Sequence, residues 1–138
     1  MIFEFTTNKY ADEAAIVQKH MNEIAGKNLL NAIRKELVDI GFSPTTIDQE
    51  DWGWYIELEA EMPCMIGAVV FQDQGAADGN DEPLECLVQV WRTEPRKVFG
   101  LIIYKKEVHA PLDDPFVATL NKIIHSLDKV KDVKTSVS

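Results

Sequence analysis

The sequence predicts an α+β domain, in which an antiparallel sheet of about five to six strands carries N-terminal helices and one C-terminal helix on one face. Three observations carry this expectation. Apolar residues recur at helical spacing before Gly41 and after Asp114, and mostly at strand spacing between them. Apart from a short β-prone start, strands therefore gather in the middle, unlike the alternation of β-α-β units. Finally, 138 residues with 46% hydrophobic and 27% charged content suffice for one core without disulfide or metal, so one globular domain spanning 1–138 is expected.

Ile2-Phe3-Glu4-Phe5 is short and β-prone and predicts the first strand. Thr6, Thr7 and Asn8 then offer helix N-caps, and Asp12 and Glu13 fall in the first turn, where the helix dipole favours carboxylates. Tyr10, Ala14, Val17, Met21 and Ile24 form one apolar helical stripe, and Leu30, Ile33, Leu37 and Ile40 form a second. The phase slips at Gly26-Lys27-Asn28, where Gly26 suits a C′ position and Asn28 an N-cap. Two helices, or one with a sharp bend, are expected. Gly41 closes the second, and Pro44 blocks its continuation.

Beyond Gly41 the period becomes two. Trp52, Trp54, Ile56, Leu58 and Ala60 alternate with Gly53, Tyr55, Glu57, Glu59 and Glu61, predicting a strand with one aromatic-aliphatic face and one acidic face. Met65 to Phe71 is apolar at every position and reads as a central strand covered on both sides. Residues 72–83 are polar and glycine-containing, as in a loop. Leu84–Arg92 and Val98–Lys106 read as a hairpin turning at Thr93-Glu94-Pro95-Arg96. Asp113-Asp114-Pro115 starts a helix with Asp as N-cap and Pro at its first position, and Phe116, Leu120, Ile123, Ile124 and Leu127 share its apolar face. Val133 and Val137 suggest a last strand.

The net charge of −9 argues against a nucleic-acid partner, because a phosphate-backbone binder needs basic surface. From Glu36 to Trp91 the chain has thirteen Asp and Glu residues and no Lys or Arg, whereas residues 92–106 hold five basic residues and one acidic. The start MIFEFTTNKYADEA has no cationic stretch followed by an apolar run. The longest uncharged run, Met62 to Gln72, is 11 residues, against about 20 for a membrane-spanning helix. A cytoplasmic protein with no membrane partner is expected.

Glu57, Glu59 and Glu61 stand roughly 7 Å apart along one strand face, with Tyr55 among them. These four residues are the candidate contacts for a basic partner protein, since an aromatic ring amid carboxylates suits a cation. Like charges on adjacent strands repel, so a neutral or basic neighbour is expected, and the Lys105-Lys106 strand is the available one. The alternative is a small-molecule binder or enzyme whose pocket, between helices and sheet, is lined by Trp52 or Trp54 with a His/carboxylate pair at its mouth, the histidine being His109 or His125. A third reading is salt-dependent self-association, the basic hairpin of one copy meeting the acidic face of another. The segment Asp78-Gly79-Asn80-Asp81-Glu82 fails the spacing of a calcium loop, with Pro83 where glycine is required. His20 with Glu23, and His125 with Asp128, sit one turn apart but reach no metal-ligand spacing. Cys64 and Cys86, in apolar strands, read as buried thiols. No cofactor, metal site or catalytic residue is predicted, and a non-enzymatic interaction module is the leading expectation.

Overall fold

The computed structural model describes residues 1–58, 63–72, 82–98 and 101–137, and for 93–98 and 101–107 the backbone alone. Along the chain run β1 (Ile2–Thr7), α1 (Ala14–Lys19), α2 (Lys27–Asp39), β2 (Asp48–Glu50), β3 (Gly53–Leu58), β4 (Cys64–Phe71), β5 (Leu84–Val98), β6 (Leu101–His109), α3 (Pro115–Ser126) and β7 (Lys131–Ser136). The seven strands form one sheet, antiparallel throughout, in the order β2-β3-β4-β5-β1-β7, with β6 paired to β5. The α+β class is therefore as expected. Asp48–Glu50 adds a strand beyond the five or six anticipated.

β5 is the hub. Its first half lies between β4 and β1, and from Trp91 onward β6 takes over the side that β1 leaves. Thr93-Glu94-Pro95-Arg96 is accordingly not a turn, because β5 runs through it. Beyond Arg92 this strand has β6 as its one described partner, and such edge positions tolerate proline. Where β1 gives way to β6, Met1 is fully buried and its amino group donates to the Ala110 carbonyl at 2.7 Å.

Strand alternation assigns the two faces. Phe3, Phe5, Trp54, Ile56, Leu58, Ile66, Ala68, Val70, Val88 and Val90 point to one side, against Leu29, Leu30, Ile33 and Leu37 of α2 and Phe116, Val117, Leu120, Ile123 and Ile124 of α3. The other side is called the far face below. Cys64 to Val70 are all buried, so β4 is covered on both sides as expected up to Val70, whereas Phe71 at its end is exposed.

The helix ends show where tertiary bonds override local signals. Asp114 caps α3 as anticipated, accepting from the Phe116 N–H at 2.9 Å and from Arg92 at 2.7 and 2.8 Å. The Arg92 guanidinium holds the Asp114 carboxyl below the ordinary aspartate range. The first helix is far shorter than its stripe. It stops at His20, whose ring accepts the Asn22 N–H at Nδ1 and donates from Nε2 to the Gly53 carbonyl. Residues 21–25 then run along the sheet: Met21 N–H donates to Gln49, Asn22 donates to the Asp51 carbonyl, and Ala25 accepts from the Val70 N–H. Met21 consequently leaves its predicted stripe, and Ile40, at the C-cap of α2, falls outside the second; both are exposed.

Asp12 does not serve the first turn of α1. It is buried at 1% exposure, and its carboxylate accepts the N–H groups of Gly26, Lys27 and Asn28 at 2.7–2.8 Å, which caps α2 from outside that helix. Gln72, just beyond β4, bonds both the N–H and the carbonyl of Asp12. Gly26 is therefore the N-cap of α2 rather than the C′ of α1, with φ of 147° and no room for a Cβ against the Ala68 carbonyl. Asp12→Ala should destabilise the protein by about 2–4 kcal/mol, the sum of a lost cap and stranded amides. Urea unfolding measures this, and a loss below about 0.5 kcal/mol, the scale of an ordinary surface change, would contradict the role assigned to Asp12.

Candidate functional site

The far face is built by register. Tyr55 lies opposite Asp48 of β2, and Gly53 opposite Glu50. Glu57 lies opposite Met65, Met65 opposite Trp91, and Trp91 opposite His109, which makes a row across four strands. Asp48, Glu50 and Glu57 are exposed, and Tyr55 is half-buried. Alternation thus places Tyr55 and Glu57 as expected. Glu59 and Glu61 lie outside the described residues.

The neighbour expected for the acidic row is corrected. Lys105 and Lys106 belong to β6, which pairs with β5 and not with β3. Repulsion beside Glu57 is avoided by neutral Met65 instead.

The tryptophans also need correction, since Trp52 and Trp54 do not share a face. Residues 51 and 52 form the turn between β2 and β3, so the strand period starts at Gly53 and not at Trp52. Trp54 is buried on the helix side, where its indole N–H donates to the Ile24 carbonyl at 2.8 Å and its ring meets His20 at 5.2 Å. Trp52 folds over the far face above Gly67, where a Cβ would collide with the Trp52 and Trp91 rings. The Trp52 and Trp91 ring centroids are 5.0 Å apart, and those of Trp91 and His109 are 5.4 Å apart. This platform was missed in the sequence, although a glycine inside an apolar strand is the signal of such a close approach.

His109 accepts the Trp91 indole N–H at Nε2, 3.2 Å away, so its proton sits on Nδ1, which is buried without a hydrogen-bond partner among the described residues. Burial lowers its pKa below the ordinary histidine value, and the positive Met1 amino group adds to this. His125 lies apart from it, exposed on α3 and bonded through Nδ1 to the Asn121 carbonyl. The structure therefore does not gather Trp52, Trp54, His109 and His125 around one cavity.

His20 is a satisfied core residue, with both ring nitrogens bonded to backbone. Burial pushes the Cys64 thiol up to about 11 and the Cys86 thiol up to about 12, so neither is a thiolate nucleophile at neutral pH. Among the described residues, no three His, Cys, Asp or Glu side chains converge as metal ligands, and no helix is long and apolar enough to cross a membrane. What the far face offers is contact chemistry, carboxylates beside aromatic rings. Compared with protein families, curated proteins and solved structures, the chain matches none.

A neutral His109 makes stability depend on pH. The unfolded chain binds a proton near pH 6.5 while the folded chain resists it, so stability is lost as pH falls from about 6.5 toward the lower folded value. Urea unfolding at pH 7.5 and 5.5 should show this loss, and His109→Gln should reduce it. An equal loss in His109→Gln would contradict the assignment.

Proposed function

We propose that the protein is a non-enzymatic interaction module that presents the acidic far face of its sheet to a basic partner protein. The observation that carries this reading is the exposure of Asp48, Glu50 and Glu57 around Tyr55, on the side away from α2 and α3. Carboxylates held on a sheet keep their spacing without paying side-chain and loop ordering at the moment of encounter. The Lys- and Arg-free stretch from Glu36 to Trp91 adds charge of the same sign, which steers a cationic partner and speeds association. Tyr55 supplies a ring for a Lys or Arg head group and an apolar surface for its stem. The buried, protonated thiols of Cys64 and Cys86 favour binding over nucleophilic catalysis.

A low-salt pull-down with the wild-type chain should capture basic proteins. Capture should weaken on the order of tenfold when salt rises from about 50 to about 300 mM. Asp48→Lys with Glu57→Lys should abolish it while leaving the urea midpoint near the wild-type value, because both positions are exposed. Capture indifferent to salt and to the double substitution would refute the proposal.

A further inference from the structure

Among the hollows that described residues line on the far face, two adjoin. One, of about 360 Å³, lies between Trp52, Val69 and Phe71 on the sheet and Val17 and Glu23 beside its edge. The other, of about 490 Å³, is bounded by Phe71, Leu87, Glu85, Glu4 and the β7 residues Asp132 and Lys134. They share Phe71 and Leu87, so they adjoin across β4, β5, β1 and β7 and are taken together below as one groove. Neighbouring strands stand about 4.8 Å apart, which makes the groove roughly 15 Å long, room for four or five extended residues.

Floor and rim differ in chemistry. Val69, Leu87 and Phe71 make the floor apolar, and Phe71 is 57% exposed. A large ring left in water between two adjoining hollows marks a contact site rather than a packing leftover. The rim is mainly carboxylate: Glu23 at one end, and Glu4, Glu85 and Asp132 at the other. Lys134, opposite Glu4 in the β1–β7 register, offsets one of these charges. Among the described residues, no ion pair satisfies Glu4, Glu85 or Glu23. An apolar floor under an excess of negative charge fits a cationic segment that also carries an apolar side chain.

We infer that this groove takes a short basic peptide segment of a partner protein. An apolar side chain of that segment seats against Phe71 and Leu87, and flanking Lys or Arg residues meet Glu85 and Glu4. The inference rests on the proposed function and deepens it, since it moves the anchor from the Tyr55–Glu57 end of the far face to the crossing of β4, β5 and β1. Charge brings the segment to the face, and the floor fixes where it stops.

Three fluorescein-labelled pentapeptides test it by anisotropy against the full chain: Lys-Leu-Trp-Leu-Lys, the charge-only Lys-Gly-Ser-Gly-Lys and the acidic Glu-Leu-Trp-Leu-Glu. The first should bind at least about tenfold tighter than the other two. Phe71→Ser and Glu85→Gln should each weaken it by about five- to tenfold, more than Glu57→Lys does. Phe71, Glu85 and Glu57 are all exposed, so an unchanged urea midpoint verifies that each variant folds. Equal binding of the charge-only peptide would overturn the groove as the site. Sensitivity to Glu57→Lys with indifference to Phe71→Ser would overturn it too, while leaving the acidic-face reading standing. Failure of both basic peptides to bind would overturn the two together. A dimer in sedimentation that Phe71→Ser dissolves would replace the peptide with a second copy of the chain.

Discussion

The fold turns on one buried carboxylate. Asp12 accepts three consecutive backbone N–H groups at the start of α2, from a loop fourteen to sixteen residues earlier in the chain. Those amides have no partner inside their own helix, and the helix dipole concentrates positive potential where the carboxylate sits. Gln72 ties the Asp12 backbone to the end of β4, while Gly26 lets the chain pass against the Ala68 carbonyl on the same strand. The start of α2 is thereby pinned to the middle of the sheet. Its apolar stripe then falls on the side of Trp54, Ile56 and Ile66, where it meets α3. The far face follows by parity, because each strand residue turned away from α2 joins it.

On that far face the chain keeps like charges apart. Glu57 lies beside Met65, Glu4 beside Leu87, and Glu85 between Phe71 and Thr6. Neutral neighbours remove the direct cross-strand repulsion that facing carboxylates would suffer. The same spacing leaves apolar surface between the charges, so the face combines negative charge with apolar contact area. Trp52, laid over Gly67 against Trp91, covers the middle of β4 on the side that the helices do not reach. From Cys64 to Val70 this strand is thus buried on both sides, although the sheet has helices α2 and α3 on only one.

What the sequence made legible was local. The alternation from Trp54 to Leu58, the continuous apolar run of β4, the stripe of Leu30, Ile33 and Leu37, and the Asp114-Pro115 cap each depend on residues a few positions apart, and each appears in the structure. What escaped depends on distant partners. The role of Asp12 needs amides that only the folded chain brings near. α1 ends early because Gly53 and Gln49 draw the His20–Met21 segment toward the sheet, and no helical period records that pull. Trp52 changes face because a turn resets the strand phase one residue later than the alternation suggests. For the candidate site the division is similar. Tyr55 and Glu57 were found through a local period, whereas Phe71, Leu87 and Glu85 become one groove only after β4, β5 and β1 are paired.

Carboxyl footprinting tests the two-sided arrangement most directly. Carbodiimide coupling to glycine ethyl ester, read peptide by peptide in the mass spectrometer, ranks the accessibility of each acid in the native chain. Glu4, Glu57 and Glu85 should label at rates near those of the unfolded protein, and Asp12 and Asp114 at least about tenfold more slowly, as groups released only by local opening do. Rapid labelling of Asp12, or protection of Glu57 and Glu85, would contradict the account.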